Sequence, residues 1–150
     1  MSNNLRPILL VEDDPNDVEL VQKAFDDGHL ANPVIVARDG VEALSLLRPD
    51  GNTGQCAMLP VVVLMDIKMP RMNGLELLKE IRTDPRLKHI PAVIMTSSRA
   101  SPDLDEAYKL GVNAYVVKPV NFSDFVEAIK VIGKFWAVLN ELPDELTLPE

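Results

Sequence analysis

The chain has 150 residues, 47% hydrophobic and 25% charged, the size and composition of a single soluble globular domain. A formal net charge of -8 speaks against a nucleic-acid partner held through its phosphates and against adsorption to an anionic membrane. The single cysteine, Cys56, permits no internal disulfide, no apolar run reaches the roughly 18 residues of a membrane span, and a cytoplasmic location is expected.

In chain order, short apolar runs alternate with segments of helical period. The first run, "PILLV" (7–11), precedes a helix marked by Val18, Val21 and Phe25 and stopped at Gly28. "VIVA" (34–37) precedes a short helix with Val41, Leu44 and Leu47 on one face. "VVVLM" (61–65) precedes a helix carrying Leu75, Leu78 and Ile81. "AVIM" (92–95) precedes one carrying Leu104, Ala107 and Tyr108, stopped at Gly111. "AYVV" (114–117) leads into a last helix from near Asn121 to about Leu142. Unbroken apolar strands alternating with amphipathic helices predict a parallel sheet covered on both faces. The segment "RPDGNTGQCAMLP" (48–60) is a turn-rich loop, and 143–150 reads as a loose tail. The expected organisation is one domain over 1–150, with a core of about 7–142 and no output domain.

In an open parallel sheet, ligands bind outside the carboxyl ends of the strands. The first run ends in Glu12, Asp13 and Asp14, the third in Asp66, the fourth in Thr96, Ser97 and Ser98, and the fifth in Lys118 and Pro119. Each has a bland reading. Asp14 is placed to cap a helix, Thr96 could bond its own turn, and Lys118 could be a solvated charge. Their convergence on one edge needs four coincidences under that reading. As a set they have a coherent chemistry. Close carboxylates repel and favour a hard divalent cation such as Mg²⁺. A carboxylate can attack phosphorus, and an ammonium and a hydroxyl can hold the remaining phosphoryl oxygens.

The motifs "ILLVEDD", "LMDIKMPRMNG", "VIMTSS" and "AYVVKP", in that order, resemble a response-regulator receiver domain over nearly the whole chain. The resemblance implies a flavodoxin-like (CheY-like), doubly wound α/β fold, with five parallel strands in the order 2-1-3-4-5 and five helices. It implies that Asp66 takes a phosphoryl group from a sensor histidine kinase, so that the chain is a signalling phospho-acceptor rather than an enzyme. By the motif, Asp13, Asp66 and the backbone carbonyl of Lys68 ligate Mg²⁺, and Glu12 acts through water. Thr96 and Lys118 contact the phosphoryl oxygens, and Lys118–Pro119 is a cis peptide. Tyr115 matches the switch aromatic, although a plain half-buried strand aromatic fits it equally. Further likenesses, "PILLVEDDPNDVELV", "NGLELLKEIRTDPRLKHIP", "GVNAYVVKPVNF" and the "FW" and "LNELP" of the last helix, resemble the single-domain regulators that partner bacterial and cyanobacterial phytochromes.

The last helix has two apolar stripes. Phe122, Phe125, Ile129, Ile132, Trp136 and Leu139 form one, and Val131, Phe135, Val138 and Leu142 form another about 100° away. One stripe can face the sheet. The second predicts a homodimer through this helix, or else packing beneath loop 48–60. Rival chemistries fit less well. A haloacid-dehalogenase-type phosphotransferase looks for an acid two residues after its nucleophile, where this chain has Lys68. A receiver-like module that never takes phosphate conflicts with the complete acid, hydroxyl and lysine set. No glycine-rich phosphate loop follows the first strand, and His29, His89 and Cys56 are too scattered for zinc.

Overall fold

The computed structural model describes residues 5–48 and 59–141. Most of loop 48–60, Cys56, the tail 143–150 and the expected interface residue Leu142 lie outside them. The elements are β1 (Ile8–Val11), α1 (Pro15–Asp27), β2 (Val34–Ala37), α2 (Gly40–Leu47), β3 (Val62–Met65), α3 (Gly74–Thr83), β4 (Ala92–Thr96), α4 (Ser101–Lys109), β5 (Ala114–Val117) and α5 (Phe122–Lys134), with a π-helical turn over Phe135–Leu139. The five strands pair in parallel in the order β2-β1-β3-β4-β5, as the resemblance implied.

Successive strand side chains point to opposite faces, and the two faces build two cores. Leu9, Val11, Val63, Met65 and Ile94 pack with Ala43, Leu44 and Leu47 of α2, with Leu77, Leu78 and Ile81 of α3, and with Ala107 of α4. Ile8, Leu10, Val62, Leu64, Val93 and Met95 pack with Val21, Ala24 and Phe25 of α1 and with Phe125, Ile129 and Ile132 of α5. β1, β3 and β4 are buried along their whole length, which is why their sequences show no polar alternation.

Local chemistry sets the helix ends. Asp14 accepts from the Asn16 N–H and Asp39 from the Glu42 N–H, each as an N-cap. Asn73 and Glu76 form a reciprocal capping box on α3. Past α4 the chain turns at Gly111 with φ +89, a backbone conformation that glycine adopts without strain.

The expected stripes are only partly buried. Val41, Leu104 and Tyr108 are exposed, as are Phe122 and Leu139 at the two ends of the first stripe of the last helix. The last helix is also not one continuous α-helix. Its final turn is π-helical and is closed by the Asn140 N–H donating to the Phe135 carbonyl at 2.8 Å.

Candidate functional site

β1 and β3 are neighbours, but their connections run to opposite sides of the sheet: β1 leads to β2 and β3 to β4. This reversal opens the crevice in which doubly wound sheets bind ligands. Two acids stand there. Glu12 follows β1, and its N–H donates to the Ala37 carbonyl at 2.9 Å. Asp66 follows β3, and its N–H donates to the Val11 carbonyl at 3.1 Å. Strand pairing thus fixes both backbones at the same level.

The turn after Asp66 is tight. Asp66 Oδ1 accepts from the Ile67 N–H at 2.6 Å, and the Gly74 N–H closes the loop onto the Ile67 carbonyl at 2.8 Å. A Cβ on Gly74 would overlap the Asp66 carbonyl oxygen, so the start of α3 can lie against the acid's own backbone only with glycine there.

Lys118, one residue past β5, reaches across the crevice. Its Nζ lies 3.1 Å from Glu12 Oε1, 3.0 Å from Asp66 Oδ2 and 2.7 Å from Asp17 Oδ2, so each of its three N–H bonds has a carboxylate partner. Burial opposes the charge on Lys118. The hydrogen bond to Asp17 and the fields of Glu12 and Asp66 outweigh it and hold the pKa above that of free lysine. Glu12 moves up as well, to about 7: burial is the largest cause, the nearby Asp66 charge adds to it, and Lys118 only partly offsets both. Three carboxyl groups thus converge on a single ammonium.

Thr96 ends β4 and is buried, with its Oγ1 accepting from the Ser98 N–H at 3.3 Å. The Tyr115 hydroxyl donates to the Ser98 carbonyl at 3.1 Å, which ties β5 to the β4–α4 loop. Burial raises the Tyr115 pKa. Asp13 and Lys68 are exposed.

One expectation is corrected. The Lys118–Pro119 bond is trans, like every other peptide bond among the described residues. Trans is the lower-energy isomer before proline, by about 0.5–1 kcal/mol. With that isomer the Lys118 N–H still donates to the Thr96 carbonyl at 2.7 Å, and the side chain still reaches its three carboxylates.

Among the described residues, no group of three or more Asp, Glu, His or Cys side chains is arranged to hold a metal ion. Instead, the lysine ammonium stands between the Glu12 and Asp66 carboxylates. Both are nearly buried and offer only hard oxygens, a donor chemistry suited to Mg²⁺.

Two features escape sequence reasoning. Asp17, in the first turn of α1, reads as an ordinary polar residue there, and only the fold brings it to Lys118. Arg71, with φ 65, pairs with the buried Asp39 at 2.7 Å. The Gly40 N–H donates to the Met72 carbonyl at 3.1 Å. Together these bonds strap the β3–α3 loop to the start of α2.

The sequence family described as the response regulator receiver domain matches residues 8–130. The chain belongs to this family. Receiver domains are signalling domains that bind a divalent metal and work with a histidine kinase. Response regulator Rcp1 of Synechocystis sp. is 35% identical over 142 residues, 95% of this chain and 96% of Rcp1. The Mn²⁺-bound form of Rcp1 superposes with a TM-score of 0.84 over 92% of this chain and 99% of that one, at 35% identity. The phosphorylated cyanobacterial phytochrome response regulator RcpA superposes with a TM-score of 0.86 at 36% identity, covering 93% of this receiver and 99% of RcpA. The bacteriophytochrome response regulator AtBRR is 52% identical, with a TM-score of 0.71 over 91% of this receiver and 99% of AtBRR. Among the described residues, no helix is long and apolar enough to cross a membrane.

Proposed function

We propose that this receiver accepts a phosphoryl group on Asp66 from a phytochrome-type sensor histidine kinase, with Mg²⁺, and signals by protein contact. The observation that carries the reading is the ammonium of Lys118 held between Glu12 and Asp66 at the crevice. An Asp66 Oδ attacks phosphorus, the O–P bond forms as the N–P bond to the donor histidine breaks, and the imidazole nitrogen takes up a proton. Lys118 places positive charge beside the developing acyl phosphate, and Thr96 offers a hydroxyl from the end of β4. Positioning and electrostatics of this kind are most of phosphoryl-transfer catalysis. Asp13, Asp66 and the Lys68 carbonyl would hold Mg²⁺, with Glu12 acting through water; when bound, the ion supplies charge that the phosphoryl oxygens need. A dianion at Asp66 would draw Thr96 toward it. Tyr115, tied to Ser98, is the aromatic that would follow. The phytochrome partner rests on the likeness to RcpA and AtBRR, and a cytoplasmic location on the partner and the charge.

The expected result with acetyl phosphate and Mg²⁺ is one added phosphoryl group by intact mass, absent in Asp66→Asn. A wild-type chain that gains no such mass from acetyl phosphate or from any histidine kinase sinks the reading.

The output surface proposed is a homodimer through the last helix. Val131, Phe135 and Val138 are exposed at 67%, 46% and 60%, an apolar stripe that a lone domain leaves in water. Sedimentation at high micromolar concentration should show a dimer, and Val131→Asp with Phe135→Asp should return it to a monomer. A wild-type monomer, with and without a phosphate mimic, overturns the dimer.

A further inference from the structure

We propose that Asp17 is the positioning residue for Lys118, holding its ammonium in place while the acceptor acid changes charge; this rests on the reading of Asp66 as the phospho-acceptor. Of the three carboxylates on Lys118 Nζ, Glu12 and Asp66 belong to the reacting crevice. Their charges must be shared with an incoming phosphoryl group and a cation. Asp17 stands apart from that set and makes the shortest of the three contacts, 2.7 Å against 3.0 and 3.1 Å.

Its support is rigid. Asp17 lies in the first turn of α1, two residues past Pro15 at the helix start, and the turn is capped by Asp14. The positive end of the helix dipole favours a carboxylate there. Lys118 has a long stem with many rotamers, and its side chain is only 12% exposed. When Asp66 becomes an acyl phosphate, the carboxylate that met Nζ is consumed. Asp17 remains as a fixed partner, so the lysine keeps its place and can turn an N–H toward the phosphoryl oxygens without being released to solvent.

The claim is that Asp17 acts through Lys118, and a double-mutant cycle reads this directly. Initial rates of phosphorylation by acetyl phosphate in Mg²⁺ are compared for wild type, Asp17→Asn, Lys118→Ala and the double variant. Asp17→Asn keeps the shape of the side chain and removes its charge. It should slow the reaction between about threefold and tenfold, the weight of replacing a charge-assisted hydrogen bond by a neutral one. In the Lys118→Ala background the same change should have less than about a twofold effect. Equal slowing in both backgrounds, or none with Lys118 present, overturns the proposal. A second measurement needs no phosphate. Acetic anhydride labelling of Lys118, followed by mass spectrometry, should be faster in Asp17→Asn than in wild type. An unchanged labelling rate overturns the role of Asp17 even if the wild type takes no phosphoryl group. A faster labelling rate beside an unreactive Asp66 sinks the acceptor reading alone.

Discussion

Helices α3 and α4 pack on the same face of the sheet and are attached in opposite ways. α3 begins with a reciprocal capping box and buries Gly74, Leu77, Leu78 and Ile81. The loop that leads into it is strapped to α2 through Arg71 and Asp39. α4 has Ala100 at its N-cap position, with no side-chain cap, and buries only Ala107. The strands follow the same division: β3 is buried throughout, and β5, beside α4, is half-buried throughout. On the α4 side, the Tyr115 hydroxyl donates to the Ser98 carbonyl and the Ser98 hydroxyl to Asp103. Regions of few buried contacts lie at the low end of local stability, so α4 is expected to open more readily than α3.

Leu78→Ala removes a side chain with 0% exposure and should cost about 2–5 kcal/mol in denaturant unfolding. Leu104→Ala on α4, where the side chain is 37% exposed, should cost no more than about 0.5 kcal/mol. Comparable losses at the two sites would erase the asymmetry.

A smaller loss, about 1–2 kcal/mol, is expected for Asp39→Ala, which removes a helix cap and the strap to Arg71. The Asp39 pKa is held below the usual carboxylate value, chiefly by the Glu42 N–H and also by Arg71. Its contribution is therefore complete above the unfolded pKa of about 4 and fades as pH falls through the lower folded value. The stability gap between wild type and Asp39→Ala should narrow in that acidic range, and a gap constant down to the lowest pH that keeps the fold argues that the carboxylate charge is irrelevant.

The smallest effect goes the other way. Ala100→Ser supplies α4 with the cap it lacks and should add about 0.5–1 kcal/mol. Amide hydrogen exchange should show it as added protection confined to α4. Protection spread evenly over α3 and α4 would mean that the two helices open together.

Much of this was legible in the sequence, because burial on both sides leaves an unbroken apolar run. "VIVA" and "AYVV" are β2 and β5 to the residue, and "PILLV", "VVVLM" and "AVIM" contain or nearly fill β1, β3 and β4. Glu12, Asp66, Thr96 and Lys118 were legible because strand ends in a parallel sheet share one edge. Asp17 and the Asp39–Arg71 pair were not, since helix phase and loop closure in three dimensions bring them to their partners. Tyr108 and Leu104 sat at core-like spacing, but α4 lies against the sheet only near Ala107. The cis bond at Pro119 came from likeness alone, and nothing in the local chemistry required it.

The contact between Lys118 and Glu12 spans 106 residues of chain, and that between Lys118 and Asp66 spans 52. Proteins are made from the N-terminus, so a growing chain carries Glu12 and Asp66 well before it carries Lys118. Until β5 joins the sheet, Glu12 and Asp66 lack the contact with Lys118. A chain cut short after α4 would carry Asp66 and still lack Lys118. The cluster of one ammonium and three carboxylates therefore forms only once β5, the last of the five strands in chain order, has joined the sheet.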